Sequence, residues 1–154
     1  MAYTFHCDCT GMTWGRLYEN CVDVPSTVAF LRGIGLLATD MQCCNAACNG
    51  QQMAERKLAC KDGMTWRCLN KDCRRVKNIR TGSLFERSHL NLKQIILLVY
   101  FWTRNMLNQE LIRHELDIRS SSTIVDWKNF IREVCELYFV LNPVQFDESG
   151  KTIY

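Results

Sequence analysis

Trp66-Arg67-Cys68-Leu69-Asn70-Lys71-Asp72-Cys73-Arg74-Arg75 sets a pair of cysteines inside a cationic run. Lys77 and Arg80 follow, and then a long apolar segment from Leu92 onward. Upstream stand Cys43, Cys44 and Cys48. Two thiol pairs on either side of a short hairpin are what a zinc ribbon requires, because zinc favours four tetrahedral thiolates contributed two by two from tight turns. Cys68-x4-Cys73 can chelate across one such turn. For the other turn, Cys44-x3-Cys48 and Cys43-x4-Cys48 both have workable spacing. The shorter loop favours Cys44 with Cys48, Cys68 and Cys73, with Cys43 as the alternative to Cys44. Cys60 is a weaker substitute that better suits a strand end. Four thiolates close the coordination sphere, so the expected ion is one structural Zn2+ with no open catalytic position.

The charge is unevenly distributed. Residues 56–93 carry eleven Lys/Arg against three Asp/Glu, a net of +8, whereas residues 1–55 and 94–154 are net −3 and −2. A local basic patch of this kind points to a phosphate backbone more than to general solubility. Ten cysteines in 154 residues would also fit a secreted disulfide scaffold. Met1 to Asp8, however, has neither a cationic start nor an apolar run. The longest apolar run, Ile95 to Trp102, is far short of the ~20 residues that span a bilayer. The chain therefore reads as intracellular, neither secreted nor membrane-bound, with reduced thiols free to bind metal.

Coarse segmentation follows from periodicity and turn signals. Residues 1–25 show no period, and Cys7, Cys9 and Cys21 have poor chelate spacing. A lead helix is expected over Ser26 to Leu36, within a segment 26–38. The ribbon fills 39–83, with strands Met53–Leu58, Met64–Cys68 and Val76–Arg80 and a turn at Lys61-Asp62-Gly63. Residues 84–142 read as helical. One helix begins near Ser88 or Asn91, buries Leu92, Ile95, Ile96, Val99 and Trp102, and ends at Asn105. A short helix holds Leu107, Leu111, Ile112 and Leu116. After Asp117-Ile118-Arg119 comes a long helix, which one of Ser120, Ser121 and Ser122 caps through its side chain. Its buried stripe is Ile124, Trp127, Ile131, Val134, Tyr138 and Leu141, and Asn142-Pro143 stops it. Short helix, tight turn and long helix form a helix-turn-helix pattern, weak by itself. Residues 143–154 read as a tail or linker.

The rest of the chain offers little chemistry. His89 beside a helix start reads as a capping or packing residue, and Asp147-Glu148 as solvated tail carboxylates. Neither a nucleophile-plus-base pattern nor a Gly-rich phosphate loop is present, so the chain is not read as an enzyme.

Several strings occur in an order that resembles the N-terminal DNA-binding region of Merlin-type DDE transposases and their bacterial relatives, the insertion-sequence-XO-like family. They are Ala29-Phe30-Leu31 with Gly35-Leu36-Leu37, Trp66-Arg67-Cys68, Cys73-Arg74, Ile79-Arg80-Thr81-Gly82-Ser83, Phe85-Glu86-Arg87-Ser88, Val125-Asp126-Trp127, and Ile131-Arg132-Glu133-Val134-Cys135. The resemblance spans about residues 27–154. It implies a helical lead, a zinc ribbon and a helix-turn-helix, with a DDE nuclease domain next in the family and not found before Tyr154. The family's first knuckle is usually a shorter Cys-x2-Cys, and residues 1–20 have no counterpart in it.

The expectation is a mainly α chain with a small β zinc ribbon that binds double-stranded DNA, in the nucleus or otherwise inside the cell, without cutting it. Arg67, Lys71, Arg74, Arg75, Lys77 and Arg80 are the expected phosphate contacts. Ser122, Lys128, Asn129 and Arg132 on the long helix are the expected readers of base edges. In the resembled family the target would be the element's terminal inverted repeats. Further partners would be a second copy or a full-length transposase. The competing expectation is a zinc-ribbon interaction or dimerisation module without a DNA target, with the helix around Tyr138 and Phe139 as its seam.

Overall fold

In the computed structural model, residues 11–106, 108–143, 145–146 and 152–153 are described. They form five α-helices, a 3₁₀ turn, a three-stranded antiparallel sheet and a two-stranded ladder. The elements are α1 (Trp14–Asn20), α2 (Val24–Gly33), the 3₁₀ turn (Ala46–Cys48), β1 (Met53–Lys57), β2 (Met64–Cys68), β3 (Val76–Asn78), α3 (Leu92–Thr103), α4 (Gln109–Glu115), α5 (Ser121–Leu141), β4 (Gln145–Phe146) and β5 (Thr152–Ile153). The chain divides into two compact units, Met1–Ile96 and Leu97–Tyr154, with the boundary inside α3. Cys7 and Cys9, and the tail carboxylates Asp147 and Glu148, lie outside the described residues.

In the first unit, α1 lies in the stretch expected to be without structure. Seven residues are too few to show a helical period, but the cap is legible: the Thr13 side chain accepts from the Arg16 N–H. The lead helix starts two residues earlier than expected. Asp23 is its N-cap, accepting from Ser26 N–H at 2.7 Å, and Pro25 falls in the first turn, where its missing N–H costs nothing. The sheet has order β1-β2-β3 and is a plain meander. Met53 faces Cys68 and Lys57 faces Met64 across β1/β2; Thr65 faces Asn78 and Arg67 faces Val76 across β2/β3.

Directly opposed residues of an antiparallel pair share a face, so the register divides the sheet's side chains. Glu55, Trp66 and Lys77 are on the inner face; Ala54, Arg67 and Val76, with Arg56, Thr65 and Asn78 in the next row, are on the outer one. Arg32 of α2 covers the inner face. Its guanidinium lies 5.4 Å from the Trp66 ring centroid and 2.7 Å from Glu55, and its Nε donates to the Ala38 carbonyl. Trp66 is buried, whereas Arg67 beside it is exposed.

The connector after β3 is held by Arg80, which is 4% exposed. Its Nε and Nη2 each donate to Asp62 at 2.6 Å, and its Nη1 donates to the Ser88 and Leu90 carbonyls. Ser83 Oγ donates to the Arg80 carbonyl, the Gly82 N–H donates to Glu86, and Phe85 is fully buried. Much of Ile79 to Ser88 is thus a structural clasp between the β1/β2 turn and α3. α3 opens with a reciprocal cap: Asn91 N–H donates to Gln94 Oε1, and Gln94 N–H donates to Asn91 Oδ1.

In the second unit, Asn108 caps α4 by accepting from the Glu110 and Leu111 N–H groups. α4 and α5 are consecutive helices that pack on each other. Leu98, Ile112, Leu116, Ile118 and Ile124 are buried. Ser120 occupies the N-cap of α5, but its side chain caps no backbone N–H of the helix; its hydroxyl instead meets that of Ser122 at 2.6 Å. Of the expected stripe on α5, Ile124 and Ile131 are buried and Trp127 is half-buried. Val134, Tyr138 and Leu141 are exposed. Among the described residues, no helix is long and apolar enough to cross a membrane.

Candidate metal centre

Four sulfurs converge between the 3₁₀ turn and the sheet: Cys43, Cys48, Cys68 and Cys73, all within 4.8 Å of one another. Cys43 Sγ lies 3.7 Å from Cys73 Sγ, and Cys48 Sγ lies 3.8 Å from Cys68 Sγ. Zn–S bonds of about 2.3 Å at tetrahedral angles require sulfur separations of about 3.8 Å, so both pairs already match a bound zinc. Cys43, Cys48 and Cys68 are buried, and Cys73 is half-buried. The residues fit a tetrathiolate ion.

The first-turn thiol that joins the cluster is Cys43 and not Cys44, which corrects the sequence-based choice. Cys44 is exposed and its Sγ lies 3.5 Å from Arg75 Nη1. Adjacent residues leaving a turn point in different directions, so only one can face the ion. Cys60 also stands apart, exposed, near the Met64 carbonyl.

The signal that picks out Cys43 is a repeat. Cys43-Cys44-Asn45-Ala46-Ala47-Cys48 and Cys68-Leu69-Asn70-Lys71-Asp72-Cys73 share the pattern Cys-x-Asn-x-x-Cys, and the structure uses both copies alike. Each Asn Oδ1 accepts from the backbone N–H two residues on, at Ala47 and at Asp72. Each Asn Nδ2 donates to a sulfur of the opposite turn, Asn45 to Cys73 at 3.3 Å and Asn70 to Cys48 at 3.5 Å. The residue after each second Cys, Asn49 and Arg74, has positive φ, at 46° and 47°. Gly50 then continues in that region at 71°, where a Cβ would be strained. Measuring from Cys44 gives the first turn a different length from the second and hides the symmetry.

Without metal the thiols are unequal. Burial, and after it the neighbouring thiols, push Cys48 up to about 12. Donation from the Asn45 amide, then from the Arg75 backbone N–H, brings Cys73 down to about 6. Four close sulfurs cannot all be anionic unless a cation sits among them. A divalent ion would therefore displace protons, and the two Asn amides would hold the sulfurs in place around it.

The expected phosphate contacts separate. Arg67, Lys71, Arg74 and Arg75 are exposed, Arg67 on the outer sheet face and the others on the second turn, where Arg74 Nε donates to the Lys71 carbonyl. Arg56 and Asn78, exposed on the same face as Arg67, are additions that only the strand register reveals. Arg80 does not belong to the patch: its guanidinium is buried against Asp62 and two carbonyls. Lys77 lies on the inner face, half-buried, and donates to the Gln42 carbonyl at 3.0 Å. On α5, Ser122, Asn129 and Arg132 are exposed and Lys128 is half-buried; Arg132 Nη1 donates to Asn129 Oδ1. His89 is exposed, away from any sulfur cluster. Comparison with models of known families, with curated proteins and with solved structures found no match.

Proposed function

We propose that this chain is a zinc-dependent binder of double-stranded DNA. The observation that carries the reading is the coincidence of a four-cysteine cluster with exposed cations on its second turn and on the adjoining sheet face. A three-stranded meander of this size buries too little to stand alone, and a structural zinc supplies the missing stability. Once fixed, the ribbon presents Arg56 and Arg67 from one sheet face and Lys71, Arg74 and Arg75 from one turn. Glu55, the acid on β1, is taken up by Arg32 on the other side. Five such cations can displace counterions from a duplex.

The reading extends to α4 and α5 as a helix-turn-helix, with Ser122, Asn129 and Arg132 offered to base edges. The resemblance to the Merlin-type transposase DNA-binding region supports that extension and would make element ends the target, in the nucleus. The role is binding and not cleavage.

The test is the affinity of the zinc-loaded chain for a random duplex as salt is varied. With five phosphate contacts, log K should fall against log[salt] with a slope of about −4.5. Replacing Arg74 and Arg75 with Ala should flatten the slope by about two units for every duplex. Absence of salt-dependent binding would favour the competing view of a zinc-ribbon interaction module. An unchanged slope in the double variant would remove the second turn from the DNA face.

A further inference from the structure

The second unit carries an apolar surface that DNA binding does not use. α5 runs from Ser121 to Leu141, and its carboxyl end exposes Val134, Leu137, Tyr138, Phe139, Val140 and Leu141, with Leu137 57% and Leu141 70% accessible. Leu137 to Leu141 are five consecutive apolar residues, so this end of the helix is apolar on every side. Such a helix is ordinarily covered, and an exposed run of this length marks an interaction site.

The pattern within the run identifies the occupant. Phe130, Val134, Leu137 and Leu141 follow steps of four, three and four, the spacing that keeps one seam facing a neighbouring helix along its length. At 100° per residue this seam is turned roughly a quarter-turn from Ile124 and Ile131, the residues α5 buries. The occupant is therefore an α-helix with an uncharged seam, and α5 itself is such a helix. Phe130, Val134, Leu137, Tyr138 and Leu141 leave on the order of 500 Å² of side chain accessible per copy, so two copies would cover about 1,000 Å², where specific interfaces begin. We propose that this chain self-associates through α5, seam against seam. The proposal stands whether or not the ribbon binds DNA.

The full chain is measured by sedimentation equilibrium up to about 100 µM, which reaches weak homodimers. Twice the chain mass is expected at the upper concentrations. Leu137→Glu together with Val134→Glu should raise the dissociation constant at least about thirtyfold, with far-UV circular dichroism unchanged. Val125→Glu, exposed on another side of α5, should leave it as in the parent. A parent monomeric throughout overturns the proposal and assigns the seam to a different protein. So does a dimer that survives the seam substitutions or is loosened equally by Val125→Glu. If the Glu variant loses its helix content, Leu137→Ala replaces it and should still weaken the dimer.

Discussion

The Asp62–Arg80 pair allows a quantitative test of what holds the first unit together. Both side chains are 5% accessible, and the guanidinium makes two 2.6 Å bonds to the carboxylate besides its bonds to Ser88 and Leu90. Asp62→Ala removes the partner and leaves a buried cation with only carbonyl acceptors. Breaking such a pair from one side costs about 3–5 kcal/mol, because the remaining charge stays desolvated. For a unit of this size each kcal/mol moves the midpoint by about 4–8 °C, so the melting temperature should drop by more than about 12 °C. Replacing both members, Asp62→Leu with Arg80→Met, removes charge and desolvation together and should recover most of the loss. The assay is thermal unfolding of the metal-loaded chain, followed through the buried Trp66. A single variant within about 1 kcal/mol of the parent would refute the reasoning. So would a double variant less stable than the single one, since the pair would then act through its shape and not its charge.

Among the described cysteines, alkylation of the metal-loaded chain should reach Cys44 and Cys60 first, both exposed, with Cys44 favoured because the Arg75 guanidinium lowers the pKa of its thiol. Cys43, Cys48, Cys68 and Cys73 should react only after a chelator is added, which peptide mass spectrometry would show. Asn45→Ala and Asn70→Ala should each weaken zinc affinity about tenfold or more, as loss of a hydrogen bond to a metal ligand does; unchanged affinity in both would reduce the amides to turn formers. Zinc affinity should fall steadily as pH drops from 8 to 6, because protons compete for thiols such as Cys48, held at about 12 in the metal-free chain. Competition titration with a chromophoric chelator measures it, and a flat profile would mean the thiols are not the ligands.

The ribbon is legible because its signals are local and redundant: thiol pairs at chelate spacing, a Lys-Asp-Gly turn and short segments on either side of it. The existence of α3 and α5 is legible from long apolar periods, and β2 agrees to the residue; on α3, Val99 and Trp102 of the expected stripe are only half-buried, while Leu97, Leu98 and Phe101 are buried. What escaped depends on direction and not on composition. Cys43 and Cys44 differ only in where a turn aims them, and the paired Cys-x-Asn-x-x-Cys pattern was the one clue. Arg80 looked like its neighbours in the basic run, but a partner eighteen residues away, Asp62, draws it inside. Lys77 fell on the inner face because pleating alternates sides, and its register with Trp66 becomes visible only once the strands are paired. Periodicity predicts a buried stripe to the end of α5 because it shows which face is apolar, not whether anything covers it.

The central claim is that Cys43, Cys48, Cys68 and Cys73 hold one zinc that organises the ribbon. X-ray absorption at the zinc edge, with metal content of the parent and of Cys43→Ala and Cys44→Ala, tests it most directly. The expected result is one zinc per chain with four sulfurs at about 2.3 Å, kept in Cys44→Ala and lost as a four-sulfur site in Cys43→Ala. A four-sulfur site that survives Cys43→Ala and disappears in Cys44→Ala, or a parent that binds no zinc, would contradict it.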